Sequence, residues 1–128
     1  MRISISRKFQ FAAAHSLPTH KGKCKGLHGH SYVTEVEIMG PVCDNPVASH
    51  YGMIMDFGDL KKEVEAVIDL VDHKHLNNLD IVCVPTAEKL AWWLAVEIGK
   101  RLGPYPDIEL VELRLWEEAD KTFVRVLL

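Results

Sequence analysis

The chain has 128 residues, the length of one domain, 1–128, with a sizeable core. Hydrophobic residues make up 48% and charged residues 26%, the ordinary globular mix, and no apolar run approaches the ~18 residues of a membrane span. The net charge of −3 gives no duplex-wide nucleic-acid footprint, so the expected partners include neither nucleic acid nor membrane.

Residues 1–8 are charged and strand-like, without the apolar stretch of a secretory signal. The three cysteines, Cys24, Cys43 and Cys83, form no disulfide-like framework. Both features lead to the expectation of a reducing cytoplasm.

Period-two alternation over 2–13 places Ile3, Ile5, Phe9, Phe11 and Ala13 on one side of a half-buried strand that ends near His15. Residues 16–27, rich in Lys, Gly and Pro, read as a loop. A second strand is predicted from about His28 to Met39, and Gly40-Pro41 ends it. A polar connection over 41–51 leads to a short extended piece at 53–57. From Gly58 the period becomes helical, with Leu60, Val64, Val67, Ile68 and Val71 on one face. Residues 73–84 form a connection containing Asn77-Asn78. Thr86 then caps a second helix, Glu88 favours its positive start, and Leu90, Leu94, Ile98 and Leu102 form its buried stripe. Gly103-Pro104 stops it, and two strands at about 107–117 and 122–128 close the chain around a turn at Asp120-Lys121. The predicted class is α+β: an antiparallel four-stranded sheet with two helices on one face.

His28-Gly29-His30 lies on a strand, where i and i+2 project from the same face and can grip one ion. His15 ends the first strand on the parity of Phe11 and Ala13. A hairpin through the 16–27 loop brings it near the His28/His30 end. Three imidazoles leave a fourth position open, the mark of a catalytic zinc site, although imidazole nitrogens also suit iron, nickel or copper. Cys24, four residues before His28, reads as a fourth ligand, an inert thiol or a reactive thiolate; Lys23 and Lys25 beside it favour the thiolate. Cys43 and Cys83 read as small hydrophobes. Asp72-His73, directly after the first helix, pairs an acid with an imidazole suited to proton transfer. His75 is a less favoured substitute, and His20 and His50 are expected in solvated loops. Glu117 stands on the apolar parity of Val111, Leu113 and Leu115 and needs a partner. That partner is either a cyclic amidine or guanidine edge, whose two donors match a carboxylate, or one of the cations Arg114 and Arg125.

Together these residues resemble the 6-pyruvoyltetrahydropterin synthase family. The resemblance runs through Phe9-x-Phe11-x-Ala13-Ala14-His15, Cys24-x-x-x-His28-Gly29-His30 and Met55-Asp56-Phe57-x-x-Leu60-Lys61. It continues through Leu70-x-Asp72-His73-x-x-Leu76-Asn77, Pro85-Thr86-x-Glu88 and Leu115-x-Glu117. Three residues between Cys24 and His28 resemble the bacterial 6-carboxy-5,6,7,8-tetrahydropterin synthase branch, on the route to queuosine and other 7-deazaguanines. Pyruvoyl-type enzymes carry a longer gap. Ala87 and Glu118 depart from the serine and threonine common in relatives.

The resemblance implies the tunnelling fold, with subunits closing into trimeric β-barrels that stack into a homohexamer. Its active sites lie between subunits, with Asp72 and His73 supplied by a neighbour. It implies that His15, His28 and His30 hold Zn²⁺, Cys24 is the base, and Asp72 and His73 relay protons. Glu117 clamps the pterin edge and Thr86 helps position the ring. The implied reaction is a lyase step on 7,8-dihydroneopterin triphosphate, giving 6-carboxytetrahydropterin, acetaldehyde and triphosphate. A pyruvoyl-type lyase and a non-catalytic pterin-binding zinc protein are the alternatives. Lys21, Lys23 and Lys25 form a basic loop suited to steering the triphosphate.

Overall fold

The computed structural model describes residues 1–128. The alternation at the N-terminus forms β1 (Ser4–His15), and the second alternating run forms β2 (His28–Met39). They pair antiparallel from Ser4 opposite Met39 to His15 opposite His28. This register puts Phe11 directly across from Tyr32, and their rings stack at 5.0 Å. Helix α1 (Phe57–Ile68) follows, then strand β3 (Lys74–His75), helix α2 (Ala87–Leu102), and strands β4 (Glu109–Glu118) and β5 (Thr122–Leu127). The sheet order is β3-β1-β2-β4-β5.

The sheet therefore has five strands where four are predicted. The additional strand, β3, is two residues long and runs parallel to β1, pairing Lys74 and His75 with Ala13 and Ala14. Two residues are too few to show a period. The extended piece predicted at 53–57 is not a strand. Ile54 and Met55 bury in the core without pairing, and Asp56 caps α1 by accepting from the Gly58 amide at 2.7 Å. Helix α1 ends at Ile68, and Val71 is buried in the turn beyond it. Thr86 caps α2 as predicted, its hydroxyl oxygen accepting from the Lys89 amide at 3.2 Å.

One apolar cluster unites the inward residues of β1, β2 and β4 with the buried stripes of both helices. Both helices thus cover the same face of the sheet. In β4 the register shifts where Glu37 and Ile38 meet Glu112 and Leu110, so Leu110 turns toward this core and Val111 does not. A bulge changes side-chain parity, which corrects the assignment of Val111 to the inward face. A second irregularity lies between Trp116 and Glu118, at Glu117. On the opposite face Arg114 and Arg125 share Glu112, at 3.2 and 2.7 Å.

Leu94 is fully buried in the cluster. Leu94→Ala removes packed volume from a site that collapses only partly, and it should destabilise the protein by about 2–5 kcal/mol in urea unfolding. A loss below about 1 kcal/mol would show that α2 does not anchor the core.

Candidate functional site

The β1–β2 register builds the centre of the site. His15 ends β1, His28 begins β2 directly opposite it, and His30 lies two residues further on the same side. The Nε2 atom of His15 is 3.0 Å from Nε2 of His28 and 3.1 Å from Nε2 of His30. The ligand atoms of all three lie within 4.8 Å of one another.

Tautomers follow from the outer nitrogens. His15 Nδ1 lies 2.6 Å from the Pro85 carbonyl, and His28 Nδ1 lies 2.7 Å from the Gly26 carbonyl. A carbonyl only accepts, so each Nδ1 carries a proton and donates. The neutral ring then presents a bare lone pair at Nε2. Lone pairs this close repel unless a cation sits among them. A tetrahedral zinc site with bonds of about 2.0–2.1 Å places its nitrogens roughly 3.3 Å apart. The two spacings from His15 are close to that value, and the Nδ1–H···O=C contacts are the outer-shell bonds that orient metal-ligating imidazoles. The residues present fit a divalent metal.

His15 is buried, His28 and His30 half-buried. Burial pushes the His30 imidazole below its ordinary value; Glu117 opposes this and the other two histidines reinforce it. Glu117 is the carboxylate within ion-pair range of the trio, 3.9 Å from His15 Nε2 and 4.0 Å from His30 Nε2. The alternative of an ion pair with Arg114 or Arg125 does not hold, because those cations are taken by Glu35 and Glu112.

Cys24 sits half-buried in a single 3-10 turn (Lys23–Lys25) of the loop, braced where the Leu17 amide donates to the Cys24 carbonyl at 2.8 Å. Its sulfur is not among the ligand atoms clustered within 4.8 Å of one another. Lys21, Lys23 and Lys25 are exposed around it, and His20 and His50 are exposed in loops. Cys43 is half-buried and Cys83 is exposed.

Asp72 and His73 form a preassembled pair at the β1 edge. His73 Nδ1 lies 2.8 Å from Asp72 Oδ1, and the same oxygen accepts from the Ala12 amide at 3.0 Å. His73 adopts φ +59°, a left-handed conformation rare for side-chain-bearing residues. Its own amide, bonded to the Ala12 carbonyl at 2.6 Å, holds it there. The ring is 82% exposed and leaves Nε2 free. An open pocket of about 520 Å³ touches both His73 and His30, with Ala12, Ala14 and Gly29 among its walls. His75 belongs to β3 and lines the same pocket. Thr86 spends its oxygen lone pair on the helix cap, one residue after the carbonyl that holds His15.

A pH dependence follows for the metal-free protein. An unfolded histidine titrates near 6.5, and the folded His30 value lies below this. The unfolded chain then binds more protons, so stability rises with pH. Stability should fall as pH drops below about 6.5 and level off once the folded value is passed. His30→Asn should flatten that part of the profile; an unchanged profile would mean that His30 does not titrate in this way.

The sequence model described as 6-pyruvoyl tetrahydropterin synthase matches residues 4–126. A Haemophilus influenzae protein named 6-carboxy-5,6,7,8-tetrahydropterin synthase is 46% identical, with 90% of this chain and 92% of the relative covered. A Pyrococcus furiosus protein named dihydroneopterin monophosphate aldolase is 35% identical, with 91% of each covered. The solved structure of Caenorhabditis elegans 6-pyruvoyl tetrahydropterin synthase superposes with a TM-score of 0.82 at 27% identity, over 99% of this chain and 96% of that one. With a family match across nearly its whole length and relatives this similar, the chain belongs to the 6-pyruvoyl tetrahydropterin synthase family.

Proposed function

We propose that this protein is a zinc-dependent 6-carboxy-5,6,7,8-tetrahydropterin synthase. It converts 7,8-dihydroneopterin triphosphate to 6-carboxytetrahydropterin with release of acetaldehyde and triphosphate, in queuosine and 7-deazaguanine biosynthesis in the cytoplasm. The observation that carries the metal-dependent reading is the convergence of three Nε2 atoms, two of them left with bare lone pairs by Nδ1–H bonds to carbonyls. The choice of reaction is supported by the three-residue gap between Cys24 and His28 and by the name of the Haemophilus influenzae relative.

His15, His28 and His30 would hold the zinc ion, which supplies a Lewis acid that lowers the pKa of a hydroxyl bound to it. The Cys24 thiolate takes a proton from the substrate side chain. His73 passes protons through its free Nε2, with Asp72 Oδ1 2.8 Å from its Nδ1. Glu117 accepts two parallel N–H bonds from the pterin edge, and Thr86 helps position the ring. Glu117 stands beside the trio, so the pterin would be held next to the three histidines.

The proposal includes a homo-oligomer built from barrels, a trimer or a stacked hexamer, with Asp72 and His73 completing a neighbour's site. Two features favour it. The outer edge of β5 has no partner strand, and β3 covers β1 only at Ala13 and Ala14; unpaired edges are the usual surface for strand addition.

Zinc-loaded protein incubated with dihydroneopterin triphosphate should yield 6-carboxytetrahydropterin and acetaldehyde, identified by mass spectrometry. A pyruvoyl product, the outcome suggested by the Caenorhabditis elegans neighbour, would overturn the carboxy assignment. Stoichiometric zinc without turnover would favour a binding protein. Cys24→Ala should lower kcat by about 10²-fold or more, the scale of a lost acid–base group, while zinc content stays unchanged. Retained turnover would remove Cys24 from the mechanism.

A further inference from the structure

β1 loses its β2 partner after His15, and the next residue, Ser16, leads into the exposed loop 16–27. Strand ends fray where the ladder stops. Here the ladder is continued by a side chain. The Ser16 amide donates to Asn77 Oδ1 at 2.9 Å, and Asn77 Nδ2 donates to the Ser16 carbonyl at 2.9 Å. A side-chain amide thus presents to Ser16 the same donor–acceptor pair that a neighbouring strand would.

Asn77 is one end of a longer clamp. At the other end, Asp72 Oδ1 takes the Ala12 amide and the His73 amide reaches the Ala12 carbonyl. Between them β3 pairs with Ala13 and Ala14. The two-residue strand is extended by two polar side chains into a contact that follows β1 from Ala12 to Ser16. His15 lies inside this span, and its own Nδ1 is held by Pro85 further along the same connection.

We infer that Asn77 is a positioning residue of the metal centre. It fixes the last turnless residues of β1 and so sets where His15 Nε2 meets His28 and His30. It touches neither metal nor substrate. It also ties the His15 position to the segment carrying Asp72 and His73, so the metal ligand and the proton-relay pair move as one unit. This inference rests on the metal-binding reading of the three histidines.

Asn77→Asp is the sharpest test. It is isosteric, keeps the acceptor for the Ser16 amide, and replaces the donor with an oxygen that faces the Ser16 carbonyl. Asn77→Ala removes both bonds. Asn78→Ala changes the same exposed turn without touching Ser16 and serves as the control. Zinc affinity is measured by competition with a chromophoric chelator. Coordination geometry is read from the visible spectrum of the Co²⁺-substituted protein. Both Asn77 variants should bind zinc about ten-fold or more weakly, the range seen when outer-shell partners are lost. They should also show an altered cobalt spectrum, with Asn78→Ala like the wild type. Unchanged affinity and spectrum in folded Asn77 variants would overturn the inference and leave the metal site standing. Loss of folding in both would also overturn it, because Asn77 would then be a determinant of the fold. A wild-type protein that binds no zinc would overturn the metal-centre reading itself, and this inference with it.

Discussion

A backbone carbonyl can accept a hydrogen bond but never donate one, and two such oxygens govern the chemistry of this fold. Pro85 and Gly26 require His15 and His28 to carry their protons at Nδ1. The lone pairs left at Nε2 have nowhere to go except toward each other. In a protein without a cation this arrangement would be costly, since buried polar atoms are normally satisfied. Around a divalent ion it is favourable. The outer bonds therefore turn two bare imidazole nitrogens toward a place that a divalent ion fits.

That commitment depends on architecture far from the histidines in sequence. The antiparallel register of β1 and β2 sets His15 opposite His28. The stacking of Phe11 on Tyr32, with the Tyr32 ring edge-on to His15 and His30, continues the apolar core up to the site's floor. The start of α2 supplies the Pro85 carbonyl, because Thr86 caps the helix at the next residue. The connection between the helices supplies Asp72 and His73, bonded to β1 at Ala12, and Asn77, bonded to Ser16 just beyond it. A helix cap, a sheet edge and a hairpin thus meet on a span of five residues, Ala12 to Ser16.

Much of this was legible in the sequence, for physical reasons. Period-two alternation marked β1 and β2, and the same parity rule set His15, His28 and His30 on one face. Helical spacing marked α1 and α2, and Thr86 announced its cap. The fifth strand was hidden because two residues cannot display a period, and Lys74–His75 takes its pairing from β1 rather than from its own propensity. The irregularities in β4 were hidden for a related reason. Parity counting assumes an unbroken ladder, and the register shifts beside Val111 and at Glu117 break it. Glu117, on the parity of Leu113 and Leu115, faces the histidines instead of an arginine. The left-handed backbone of His73 and the reciprocal bonds of Asn77 are tertiary properties that residue type alone does not encode.

The most direct test of the metal centre is X-ray absorption spectroscopy of the zinc-loaded protein without substrate. The account requires one zinc ion per chain, with three imidazole nitrogens at about 2.0–2.1 Å and a fourth light-atom ligand from solvent. A sulfur at about 2.3 Å would make Cys24 a ligand rather than a base. A shell with fewer than three histidines would contradict the convergence of His15, His28 and His30 on one ion.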